Sequence, residues 1–158
     1  MAAHYLVIAN NINALSGEVI PAREVYTVLM DHGFWDFAER APFFRKFKPG
    51  DKLVFYLAGV KERRFVGTAT VAEAPRAKTK GDIDPFAPAR VPFYPWRVTL
   101  KDIKRWGDGK TFYTFVNKLS FLNTEETPLQ YIGLKFKGGL RALTEEDYRI
   151  LLETPSDE

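Results

Sequence analysis

GFWDFAERAPFFRKFKPGDKLVFYLAGVKERRFVGTATV, residues 33–71, is the stretch whose reading decides the fold. KLVFYLAG and RFVGTATVAEA are β-prone apolar runs and predict two strands joined by the charged turn VKERR. In the second, Phe65, Gly67, Ala69 and Val71 share one face, and Gly67 marks a bulge or a close backbone approach. APFFRKF adds a single helical turn closed by KPGD, whose Asp51 is a structural residue of the turn that starts a strand. Trp35, between Phe34 and Phe37, is either core or a flat surface for something planar to stack on.

Upstream, HYLVIAN predicts a first strand, ended by the turn-favouring Asn10, Asn11 and Asn13. PAREVYTVLMDHG predicts a helix, with Pro21 suited to the first turn and Gly33 to the C-terminal cap. Val25, Val28, Leu29 and His32 fall on one of its faces. Downstream, residues 75–92 hold four of the ten prolines and no periodic pattern, as functional or mobile loops do. YPWRVTLKDI alternates cleanly, with Tyr94, Trp96, Val98 and Leu100 on one face and Arg97, Thr99 and Lys101 on the other. WGDGK predicts a turn, and FYTFVNKLSFL a mixture of strand and short helix. In LTEEDYRILLE, Thr144 and Asp147 have capping-box spacing, Leu143 and Tyr148 fit a staple, and Tyr148, Leu151 and Leu152 form a stripe.

These elements predict an α+β fold, a mostly antiparallel sheet with peripheral helices that closes into a small β-barrel. At 158 residues it reads as a single domain over residues 1–153, with 154–158 a tail or the start of a linker. The balance of 46% hydrophobic and 27% charged residues is that of a soluble globular protein. No apolar run reaches the roughly 20 residues that span a bilayer, and no signal peptide is evident, so no membrane partner and a cytoplasmic location are expected. The absence of cysteine excludes disulfides, thiolate metal sites and a cysteine nucleophile.

Net charge is +3, but the acidic stretch from residue 145 onward hides a more basic body. Without it the chain carries 22 basic and 14 acidic residues, or +8, a sign that attracts polyanions. Lys61, Arg63 and Arg64 crowd one turn, and Arg76, Lys78 and Lys80 begin the long loop. Arg45, Lys46, Lys48 and Lys52 flank KPGD. Several such clusters with tryptophans nearby point to phosphate contact. Signals of catalysis are thin. The only histidines, His4 and His32, lie far apart in sequence, and no nucleophile elbow, phosphate loop or zinc-protease motif is present. Asp82 and Asp84 read as a solvated turn, and Asp51, Glu62 and Arg64 imitate a metal nuclease only loosely. No enzyme activity, cofactor or metal is expected.

Residues 34–71, with YPWRVTLKDI, FVNKLSFL and GGLRALTEEDY after them, resemble the EVE domain of the PUA-like superfamily, which also contains the YTH domains. The resemblance rests on five features in order: a first strand ending near Asn, a helix, a tryptophan after a turn, KPGDKLVFY and FVGTATV. It implies a PUA-like barrel that binds nucleic acid non-catalytically through a pocket for one flipped, often modified base. In YTH relatives an aromatic cage holds a methylated adenine, and the tryptophan after the first helix forms one wall. Trp35 occupies that position. Tyr94 is then a second wall or its edge, with Phe86 or Phe93 as alternatives, and no tryptophan stands in that loop where YTH domains carry one. Trp96 reads as barrel core in phase with Val98, or as a further cage residue.

Asn10 and Asn11 are the edge readers, since an amide both donates and accepts, and Asp36 could fix an amino group through side chain or backbone. Lys61, Arg63, Arg64, Lys78, Lys80 and Arg90 are the phosphate contacts. Relatives fused to modification-dependent restriction machinery sense modified DNA. The expected partner is therefore DNA, or alternatively RNA, carrying a modified base, with a fused or associated effector domain or a larger nuclease system that it targets. As a pocket wall, Trp35 should tolerate alanine with a change of only a few degrees in Tm.

Overall fold

The computed structural model describes residues 2–41, 44–59, 61–130 and 139–155, so the predicted tail lies outside the described residues from 156 onward. β1 (His4–Ala9) is apolar without alternation because both of its faces are covered. Tyr5, Val7 and Ala9 join one core cluster, and Leu6 and Ile8 join another. β1 runs parallel to β5 (Lys52–Leu57), from His4↔Lys52 to Ala9↔Leu57, and antiparallel to β9 (Leu140–Leu143). β5 pairs antiparallel with β6 (Arg64–Val71), β6 with β8 (Trp96–Thr111), and β8 with both β4 (Phe34–Phe37) and the short β7 (Arg76–Ala77). The seven-stranded mixed sheet has the order β4-β8-β6-β5-β1-β9, with β7 beside β8. A separate hairpin of β2 (Ile12–Asn13) and β3 (Val19–Ile20) follows β1.

The sheet curls into a half-barrel. Trp35 on the edge strand β4 packs against Phe55 on β5 with ring centroids 5.2 Å apart, although β8 and β6 intervene in the strand order. Only curvature brings those two strands together. α1 (Ala22–His32) fills the inner side with Ala22, Val25, Tyr26, Leu29 and Met30. Its buried face is rotated from the predicted one. Val28 is half-buried, and His32 is exposed, with Nδ1 2.9 Å from the Val28 carbonyl. Gly33 ends the helix at φ 77°, its N–H donating to the Leu29 and Met30 carbonyls, and this left-handed cap turns the chain straight into β4.

Gly67 is a point of close approach. A Cβ there would lie 2.3 Å from the Lys104 carbonyl and 2.4 Å from the Tyr26 hydroxyl. The bulge beside it breaks the predicted one-face alternation, so Phe65 joins the outer cluster while Val66, Ala69 and Val71 join the inner. WGDGK is not a turn between elements. Phe65 pairs with Lys110 and Gly67 with Arg105, so residues 106–109 bulge out within β8. The freed Gly107 and Asp108 carbonyls accept Arg23 of α1, which also pairs with Glu62 at 2.8 Å. FYTFVNKLSFL forms the 3-10 turn Phe112–Phe115 and further turns, with no strand among its described residues.

α2 (Glu145–Glu153) starts at the predicted cap, Thr144 Oγ1 accepting from the Asp147 N–H at 3.0 Å. Asp147 does not complete a capping box but accepts from the Ser120 N–H and hydroxyl, tying α2 to the 112–122 turns. Leu151 is buried and Leu152 exposed, so the stripe is narrower than predicted. Asp51 accepts from the Ala3 and Lys48 N–H groups, the structural role expected of it.

Candidate nucleic-acid interface

A half-barrel has two edges, and among the described residues these are β4 and β9. Between β4, the end of β1 and α1 lies a cavity of about 410 Å³, lined on one side by Trp35–Ala38 and on the other by Ile8, Asn10, Asn11 and Gly139. Val25 and Leu29 of α1 line it too, and the 78–95 segment contributes Phe86 and Tyr94. A cavity of this size falls within the roughly 300–1,000 Å³ of small-molecule sites.

Strand geometry determines what β4 offers to this seam. Leu100 N–H donates to the Gly33 carbonyl, which puts residues 33, 35 and 37 in the hydrogen-bonded pairs with β8. Antiparallel alternation then turns the backbone N–H and C=O of Phe34 and Asp36 toward the open edge. The side chains alternate the other way. Trp35 and Phe37 point inward, while Asp36 faces Arg97 on the outer side. Asp36 Oδ1 accepts from Arg97 Nε at 2.7 Å, and Oδ2 accepts from Arg97 Nη2 and Lys78 Nζ, each at 3.0 Å. The Asp36 carboxylate is thus engaged, and its backbone is the part that meets the cavity.

Of the six predicted pocket residues, five line this cavity: Trp35, Asp36, Asn10, Asn11 and Tyr94. Trp96 does not. Its indole N–H donates to Glu39 Oε2, and Arg45 lies over its ring. Phe86 lines the cavity, whereas Phe93 does not and is 71% exposed. Asn11 Oδ1 accepts from the Ala22 N–H at 2.8 Å, so one end of its amide is committed to the start of α1. Burial raises the Tyr94 phenol. Trp35 is only 6% exposed and belongs to the core cluster as well as the cavity wall. Its replacement by alanine therefore has a structural cost that the sequence reading did not include.

Two acids near the mouth are matched by cations. Asp36 is held by Arg97 and Lys78, and Glu39 pairs with Arg45. The Trp96 N–H, then Arg45, hold the Glu39 carboxyl below its usual range. Arg40 lines the same cavity, is exposed, and has no hydrogen-bond or ion-pair partner among the described residues. It was missed because it lies alone in sequence, outside every basic cluster.

The predicted phosphate contacts divide. The Ala58 N–H donates to the Ala9 carbonyl, so Lys61 and Arg63 follow β5 at the same end of the sheet at which β1 runs into Asn10. Arg63 donates to the Tyr113 hydroxyl at 3.2 Å, and Arg64 opens β6 half-buried. Lys78 is held by Asp36 and is not a free cation. Lys80 and Arg90 are exposed.

The EVE domain profile matches residues 28–154, most of the chain. The chain belongs to the EVE domain family. A UPF0310 protein of Pyrococcus abyssi is 29% identical over 139 residues, covering 84% of this EVE domain chain and 93% of its own. Another, from Pyrococcus horikoshii, is 28% identical over 142 residues, covering 84% and 92%. Among solved structures, human THYN1 in complex with 5-methylcytosine-containing DNA superimposes with a TM-score of 0.62 at 13% identity, covering 99% of both chains. That likeness establishes the PUA-like architecture of this EVE domain.

Proposed function

We propose that this EVE domain is a non-catalytic nucleic-acid-binding module that draws one modified base, in DNA before RNA, out of its stack and into the seam cavity. The observation that carries this reading is the composition of one cavity. Aromatic faces from Trp35, Phe86 and Tyr94 meet edge-reading groups from Asn10, Asn11 and the Asp36 backbone, with Arg40, which has no partner among the described residues, at the rim. Flipping costs a few kcal/mol, and aromatic stacking returns roughly 1–3 kcal/mol per base. A methyl group adds apolar area that such walls bury. THYN1, which shares the fold and was solved with 5-methylcytosine DNA, supports modified DNA as the ligand class. Arg40, Lys61 and Arg90 would meet backbone phosphates. Neither histidine lines the cavity: His4 packs on Tyr148, and His32 sits 2.9 Å from a backbone carbonyl.

The test is one binding screen at fixed salt, using one oligonucleotide in unmodified, adenine-methylated and cytosine-methylated forms. Selective, salt-dependent binding to a modified form is expected. Equal affinity for all forms, or cleavage of the modified form when Mg²⁺ is added, would overturn this reading.

A further inference from the structure

The β2–β3 hairpin is anchored by its own apolar residues. Ile12, Ala14 and Ile20 are buried, Ile12 pairs with Ile20, and the loop closes through bonds from Ala14 N–H to the Glu18 carbonyl (2.8 Å) and from Gly17 N–H to the Ala14 carbonyl (2.9 Å). At its tip Leu15 is 77% exposed. A single exposed leucine is ordinary. What distinguishes this one is its placement. Asn11 and Ile12, just before it, line the cavity. The Leu15 N–H donates to the Arg90 carbonyl at 2.7 Å, midway along the segment between Phe86 and Tyr94, which also line it. Leu15 is therefore held on both sides by cavity-lining segments, and Arg90, whose carbonyl accepts its N–H, is exposed.

We propose that Leu15 is a wedge residue that enters the base stack of duplex DNA as the flipped base leaves it. This rests on the reading of the cavity as a base site. Removing a base leaves a stacking gap, and proteins that kink or open DNA fill such gaps with apolar side chains. A wedge must be apolar, exposed and backed by rigid structure, and it needs a cation to hold the adjacent phosphate. Leu15 has the first two properties, the doubly anchored hairpin supplies the third, and Arg90 the fourth. A single strand has no such gap to fill, so this device points to a duplex partner.

The experiment measures affinity by fluorescence anisotropy for wild type, Leu15→Ser and Leu15→Met. Each protein meets a paired duplex carrying 5-methylcytosine or N6-methyladenine, whichever wild type prefers, and the same base in a single strand and in a one-base bulge. Leu15→Ser is expected to bind the paired duplex about tenfold more weakly, or about 1.4 kcal/mol. It should stay within about twofold on the single strand and the bulge, where no intact stack must be opened. Leu15→Met should resemble wild type on all three. Equal loss on all three substrates would make Leu15 a contact of the bound base, and no loss on the duplex would make it a bystander. Either result overturns the wedge while leaving the cavity reading intact. A wild type that prefers no modified substrate would overturn the cavity reading and the wedge with it.

Discussion

Asp36→Asn puts the largest single electrostatic strain on the site. Asp36 and Arg97 are 6% and 4% exposed, bound by two hydrogen bonds, and solvent screens them little. The Arg97 guanidinium also donates to the Ile83 carbonyl at 2.8 Å and lies 3.6 Å from the centre of the Phe34 ring. Removing the carboxylate charge leaves buried Arg97 without its bidentate partner, with Asp82 Oδ1, 3.8 Å from its Nη1, as a more distant acid, and Lys78 without its own. Breaking a buried pair from one side typically costs about 3–5 kcal/mol. The asparagine oxygen can still accept one bond, which places this change near the lower end. At roughly 2–4 °C per kcal/mol for a domain of this size, Tm should fall by about 6–12 °C. Arg97→Met should cost less, because Lys78 still neutralises Asp36. In a double-mutant cycle followed by circular dichroism, the double variant should lose clearly less than the sum of the singles. An Asp36→Asn protein melting within about 2 °C of wild type would refute this reasoning. Because the same pair holds the loop carrying Ile83 and Phe86, selectivity for the modified base should fall even below the melting transition.

Trp35→Ala should lose about 3–5 kcal/mol by denaturant titration, since the ring is core as well as wall. Half-buried Tyr94→Ala should lose far less stability while reducing selectivity. Gly67→Ala should cost about 3 kcal/mol or fail to fold, because its Cβ meets the Lys104 backbone and the Tyr26 hydroxyl. Burial pushes the Tyr26 phenol up to about 12. A phenol raised in the folded state contributes stability that is complete below its unfolded value near 10 and is lost as pH climbs through 12. Alkaline melts should fall across that window, and less steeply for Tyr26→Phe.

Much of this architecture follows from local signals. The Gly33 cap, the apolar runs of β1, β5 and β6, and Thr144 at the start of α2 each rest on neighbours in sequence. The site was legible where it borders such elements: Asn10 and Asn11 end β1, and Trp35 follows the cap. What escaped depends on distant partners. Alternation assigns Arg97 to solvent, and Asp36, 61 residues earlier in the chain, together with the Ile83 carbonyl and the Phe34 ring, explains its burial. The four-residue β4 is too short and aromatic to show a strand period. The β8 bulge carries turn residues within a continuous ladder, so it reads as a chain reversal. Strand alternation alone does not separate core from cage for Trp96, whose bond to Glu39 holds it outside the cavity.

The most direct measurement is a crystal structure of this EVE domain with a duplex carrying its preferred modified base. The base should sit in the seam between β4 and the end of β1, within about 4 Å of Trp35 and Tyr94. Its edge should meet Asn10 and the Asp36 backbone. A base still stacked in the duplex, or DNA held on another face with the cavity unfilled, would contradict the assignment of this cavity as the reader.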